Sequence, residues 1–184
     1  MYNFVLFCKS YIGDIERISI LKNSIDQFNT DNIPFCIVCP LNDIAIFKKK
    51  LVNGCEKYPI HIYSDEEVLQ RLGIAQLKQS WFSQQIIKLG FYKMRICNHY
   101  SILDSDCYFI NNFCIADFMY DEKTPYIYIH VNNKPNEEYT YIQNYFGRRG
   151  YCYDFIHHSQ VFSKFILESL EQEILNKQKI TFCI

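Results

Sequence analysis

Two aspartates, Asp104 and Asp106, stand two residues apart in LDSDCYF, directly behind the apolar run HYSIL. Like charges that close repel one another, so such a pair is either well hydrated or shares a positive partner such as a metal ion. In extended backbone the i, i+2 spacing sends both side chains to the same side. One carboxylate then binds a divalent ion directly while the other acts through water or a ligand hydroxyl. Oxygen-rich ligation of this kind suits Mg²⁺ and Mn²⁺, whose shells phosphate oxygens complete. The plain alternative is an Asp-x-Asp that opens a solvated turn and does nothing more.

A second stretch with chemical capacity lies just upstream, KQSWFSQQIIKLGFYKM. On a helical wheel Phe82, Ile86 and Leu89 form the expected buried face, while Trp81, Gln85, Lys88 and Tyr92 share the neighbouring arc with Gln84 at its edge. An ordinary half-exposed helix face looks much the same. A helix that feeds directly into the Asp-x-Asp strand, however, holds Lys88 near any phosphates bound by the metal.

The elements that must position these residues read as a βα alternation. NFVLFC, at residues 3 to 8, is a strand, and Gly13-Asp14 breaks it and offers a helix N-cap. The helix that follows buries Ile18, Leu21, Ile25 and Phe28 at helical spacing. PFCIVC is a second strand, Asn42 caps a helix carrying Ile44, Phe47 and Leu51, and PIHIY is a third strand leading to a Ser64/Glu67 capping box. A long helix from about Leu77 to Arg95 precedes HYSILD, the fourth strand. Strands separated by amphipathic helices predict an α/β fold, a mostly parallel sheet with helices on both faces. After Asp106 the pattern loosens. TPYIYIHVN reads as a strand, NNKPNEEYTYIQNYFGRRG as a polar and aromatic loop, and His157 to Lys177 as a helix carrying Phe162, Ile166, Leu170 and Ile174. The expectation is one domain over 1–184, with a Rossmann-like half over 1–110 and a less regular part over 111–184.

Composition removes several function classes. A net charge of −1 and only a short lysine run (Lys48, Lys49, Lys50) and an Arg148/Arg149 pair make no basic face, which argues against a nucleic-acid partner. Nine cysteines are an odd count and lie mostly in apolar runs, and Cys36 and Cys39, which flank Ile37 and Val38 in strand-like sequence, read as core rather than as disulfides or a zinc pattern. The N-terminus lacks a signal-peptide pattern and no apolar run is long enough to span a bilayer. A reducing cytoplasm follows, at most with attachment to the inner face of a membrane.

Taken in order, SYIGDIERISILKNSID, SWFSQQIIKL and LDSDCYF resemble a bacterial group of GT-A-type glycosyltransferase-like proteins from polysaccharide and other glycan loci. The resemblance spans about residues 3 to 170. It implies a Rossmann-like nucleotide-binding half, a nucleotide-sugar donor, a glycan or glycolipid acceptor, and Mn²⁺ or Mg²⁺ held against the diphosphate. It makes Asp106 the direct metal ligand and sets Asp104 toward the ribose and the metal shell. It further implies nucleoside contacts from Lys9, Ser10 and Tyr11, matches Gln85 and Lys88 to a Gln-Gln…Lys helix, and brings His157 or His158 near sugar or metal. Asp14 either touches the base or caps its helix, and capping is the expected role. No residue is singled out as catalytic base. The family continues into a Ser-Glu-Tyr-type segment and a C-terminal histidine where this chain reads KITFCI. That predicts a chain that folds and binds nucleotide but transfers sugar poorly alone, its apolar end covered by another copy or a partner chain. Two other readings compete. One is a non-catalytic nucleotide-binding module. The other, metal-dependent phosphoryl transfer of the haloacid-dehalogenase type, is disfavoured because its Asp-x-Asp follows the first strand rather than the fourth.

Overall fold

The computed structural model describes residues 1–78, 80–127, 130–131, 153–154 and 160–178. Strands β1 (Tyr2–Lys9), β2 (Phe35–Cys39), β3 (Ile60–Ser64) and β4 (Cys97–Leu103) are mutually parallel. Helices α1 (Ile15–Phe28), α2 (Ile44–Leu51), α3 (Asp65–Leu72) and α4 (Trp81–Gly90) alternate with them. Past β4 come two-residue strands β5 (His130–Val131) and β6 (Tyr153–Asp154), which pair only with each other, then β7 (Val161–Ser163) and α5 (Lys164–Gln178). β7 joins the main sheet antiparallel to β4, so its order is β3-β2-β1-β4-β7. The fold is the expected α/β, Rossmann-like type.

Both sheet faces are covered, which is why the strands are nearly continuous apolar runs. Phe4, Leu6 and Cys8 of β1 point into one core with Ile18, Leu21, Ile25, Phe47 and Leu51 of α1 and α2. Val5 and Phe7 point into the other with Val68, Ile86, Ile87, Phe91, Tyr100 and Leu167. Cys36 and Cys39 are buried, and the seven described cysteines are all free. Burial pushes the Cys8 thiol well above its ordinary range, so it is a core residue and not a nucleophile. Among the described residues no helix is long and apolar enough to cross a membrane.

Several local expectations are corrected. The long helix is shorter than Leu77 to Arg95: Ser80 and Ser83 cap each other at its start, and after Gly90 the chain tightens into a 3-10 turn, Phe91–Met94. Arg95 then takes a left-handed conformation, φ 54°, which releases the chain into β4. Its inward face is also rotated. Ile86, Ile87, Lys88 and Gly90 are buried, whereas Phe82 and Leu89 are exposed. Two adjacent apolar arcs compete on this wheel, and packing on β1 and β4 selects the one that includes Ile87. Asn42 makes no cap; Asp43 takes the N-cap position, and its carboxylate instead accepts the Ile12 N–H, 2.8 Å away. The terminal helix begins only at Lys164, because Val161–Ser163 pair with β4 and Phe162 stacks on Tyr100. Its inward residue is Leu167, with Ile166 and Leu170 exposed. Within TPYIYIHVN, residues 124–127 are not in a strand and His130–Val131 are. The loop expected at 132–150 lies outside the described residues.

Two histidines give the fold a predictable acid response. Burial lowers the pKa of His99 and of His61 below the ordinary 6.5, with the Glu122 carbonyl opposing this in part at His99. Below about pH 6.5 the unfolded chain therefore binds more protons than the folded one, and stability falls as pH drops. Urea unfolding between about pH 7 and pH 5 should show this decline, flattened by His99→Gln. An unchanged slope in that variant would assign the decline to other groups.

Candidate functional site

The sheet order reverses direction between β1 and β4, and in doubly wound sheets that switch point opens a crevice at the carboxyl ends of the strands. Cys8 is paired with Leu103, so the residues that run off this edge side by side are Lys9 and Asp104. The crevice floor is thus built from the β1–α1 loop and the Asp104-Ser105-Asp106 turn.

Each residue of that turn is held differently. Asp104 Oδ1 accepts a hydrogen bond from Lys88 Nζ at 2.6 Å. The Lys88 side chain is only 9% exposed and that of Asp104 is 49% exposed, so the pair joins a buried cation to a carboxylate that still faces solvent. Lys88 is fixed from behind as well: the fully buried Tyr100 hydroxyl donates to the carbonyls of Lys88 and Leu89, at 3.0 and 3.1 Å. The Asp104 carbonyl accepts the Cys107 N–H and closes the turn. Ser105 Oγ donates to Asp14 Oδ2 at 2.9 Å, and Arg17 reaches the other Asp14 oxygen at 3.2 Å. Asp106 is exposed, and no hydrogen bond or ion pair among the described residues engages it.

This network changes the role of Asp14. It occupies the N-cap position of α1, but its side chain makes no capping bond. Its carboxylate ties the β1–α1 loop to the Asp-x-Asp turn instead. Tyr11 is half-exposed, its ring set against Gly13, where a Cβ would collide with it. Lys9 is buried and turns away from β4: Nζ donates to the Ser10 carbonyl at 2.7 Å and lies 3.1 Å from Asp65 Oδ1 at the start of α3. Burial raises the pKa of the Asp65 carboxyl, an effect the neighbouring lysine opposes. Ser10 is 1% exposed and its hydroxyl has no partner among the described residues. Gln85 lies one turn before Lys88 on α4 and is partly buried. His157 and His158 lie outside the described residues. Asp65, Tyr100 and Ser105 escaped the sequence reading, and only Ser105, as the middle residue of Asp-x-Asp, carried any signal.

The donor set bears on the metal. Among the described residues no three His, Cys, Asp or Glu side chains converge on one point. Asp104 Oδ2 and the Asp106 carboxylate remain as hard oxygen donors at the crevice mouth. Mg²⁺ and similar ions keep several waters and bind through one or two carboxylates plus phosphate oxygens. The two aspartates therefore fit a divalent ion that arrives with a phosphate ligand, and do not make a closed protein cage.

Two solved glycosyltransferase structures resemble this chain, one of them at the level of the fold. The apo form of mouse xyloside xylosyltransferase 1 superposes with a TM-score of 0.51 over 92% of this chain and 69% of its own, at 10% identity. Core-mannan synthase A from Aspergillus fumigatus, in its Mn/GDP form, gives 0.41 over 72% of this chain and 42% of its own, at 13% identity. At such identity the likeness is one of fold, the GT-A arrangement. No curated protein matches the sequence significantly. A family model described as a family of unknown function (DUF6492) matches residues 5–145, and the chain therefore belongs to DUF6492.

Proposed function

We propose that this protein binds a nucleoside-diphosphate sugar and Mn²⁺ or Mg²⁺ in the β1/β4 crevice and transfers the sugar to a glycan or glycolipid acceptor. The observation that carries the reading is the unequal pair at the switch point: a free Asp106 beside an Asp104 tethered to the buried Lys88. Two carboxylates on one turn, the first bound to a desolvated cation from α4, suit a diphosphate with its counter-ion. A bound divalent ion would offset the negative charge that develops on the departing diphosphate. In the transfer the bond from the anomeric carbon to the diphosphate oxygen breaks, the acceptor oxygen bonds to that carbon, and the acceptor proton passes to a base.

The chain's own groups have separable tasks in this reading. Lys88 holds Asp104 and keeps positive charge at the phosphate end of the crevice. The Ser105–Asp14 bond keeps the turn in register with the β1–α1 loop, where the half-exposed Tyr11 meets the nucleoside and the buried Ser10 supports the loop from beneath. Lys9 acts on that loop from behind, through the Ser10 carbonyl and Asp65. Gln85 lies toward the sugar.

Asp106→Asn tests the proposal. With Mn²⁺ the native chain should bind a nucleoside diphosphate at least about tenfold more tightly than without it, and the variant should lose that gain. Calorimetry with UDP and GDP, with and without Mn²⁺, measures this. Equal metal-dependent affinity in the variant would place the site elsewhere.

A further inference from the structure

Trp81 and Phe82 open α4 and are 69% and 72% exposed, an unusual display for the single tryptophan of the chain and its neighbour. Their rings meet edge to face at 5.4 Å. The mutual cap between Ser80 and Ser83 keeps this first turn from fraying. Residues three, four and seven positions apart share a helix face, so Trp81, Gln84, Gln85 and Lys88 form one stripe. Lys88 ends it at Asp104, and seven residues of rise put the tryptophan about 10 Å farther along the helix axis. Lys88 thus marks the end of the stripe at the Asp-x-Asp turn, and Trp81 the end farthest from it.

The middle of the stripe points to a ligand. Gln84 and Gln85 are partly buried, and neither side-chain amide has a hydrogen-bond partner among the described residues. A face made for an apolar partner would continue with aliphatic side chains. This one continues with two unpaired amides and then a cation. An aromatic face followed by amide donors and acceptors suits a pyranose, whose C–H face is apolar and whose rim carries hydroxyls.

We propose that Trp81, braced by Phe82, is the stacking platform of an acceptor-glycan subsite, with Gln84 and Gln85 meeting the sugar hydroxyls. The inference rests on the nucleotide-sugar reading of the crevice. On that reading the nucleoside lies by Tyr11 and the diphosphate by Asp104 and Asp106, so the stripe continues on the sugar side. Its length is the span of a disaccharide rather than of one ring, and longer acceptors are favoured over monosaccharides.

The test uses the full chain on an array of immobilised glycans, with native protein, Trp81→Ala, Trp81→Phe and Asp106→Asn. Capture of oligosaccharides by the native chain and by Asp106→Asn, a loss of at least about tenfold in Trp81→Ala and partial retention in Trp81→Phe are expected. No glycan capture by the native chain, or equal capture by Trp81→Ala, overturns the subsite. Tryptophan fluorescence supplies the discriminating arm, since Trp81 is its only source. A shift with UDP or GDP alone would make the indole a base-stacking residue. A shift with anionic phospholipid vesicles would make it a membrane contact. Either result overturns the proposal. Mn²⁺-dependent nucleotide binding should survive in Trp81→Ala, so failure of the subsite and failure of the crevice reading remain distinguishable.

Discussion

Asp104→Asn should lower the stability of the fold by about 2 kcal/mol, because it leaves a buried ammonium without its counter-charge. Asp106→Asn, two residues away, should change it by less than about 0.5 kcal/mol, as for an exposed side chain that none of the described residues engages. The difference arises wholly from Lys88, which is buried and donates to Asp104 at 2.6 Å. Breaking a fully buried pair typically costs about 3–5 kcal/mol. The value here is set lower because the Asp104 side chain is half in water and the amide of asparagine still accepts one hydrogen bond. Urea unfolding of the two variants gives the comparison directly. Adding Lys88→Met to Asp104→Asn should recover much of the loss, since the uncompensated charge is then gone. Equal midpoints for the two single variants would mean that the ion pair contributes nothing.

Phe91→Ala should cost about 3–4 kcal/mol, within the range for a buried aromatic truncated to a methyl group. Phe91 is 1% exposed and stacks on Phe7 at 4.2 Å, with Tyr100 edge-on at 5.3 Å and Tyr63 at 6.5 Å. One ring thus joins β1, β3 and β4 where α4 ends. Domain stabilities are about 5–15 kcal/mol, so this single cavity removes a large part of the total. The same hub supports Tyr100, whose hydroxyl holds the backbone of Lys88, so nucleotide affinity should weaken along with stability. The denaturation midpoint and a nucleotide titration check both effects. A loss below about 1 kcal/mol would show that neighbouring side chains fill the space.

The elements that could be read from the residues are those set by neighbours along the chain. Apolar runs marked β1 to β4, the spacing of Ile18, Leu21 and Ile25 marked α1, and Ser64 with Glu67 marked the start of α3. All depend on contacts within about one helical turn or one strand, so the local pattern carries them. The Asp104/Asp106 pair and Lys88 could be singled out as candidates in the same way, from residue type and position. Who meets whom could not. Asp14 in a capping position reads as a cap, yet its oxygen is taken by Ser105, 91 residues away. Lys88 reads as a cation facing a crevice, yet it is buried against Asp104, 16 residues on. Lys9 follows a strand toward the crevice and turns instead to Asp65. On α4 the wheel offered two apolar arcs, and packing against β1 and β4 chose between them, leaving Phe82 and Leu89 outside. A side chain's local preference is worth about a kcal/mol or less, while burying an apolar face or pairing a desolvated charge is worth several. The pattern of elements is therefore legible along the chain, and the partners of Asp14, Lys9 and Lys88 exist only once the sheet has brought distant loops to the same edge.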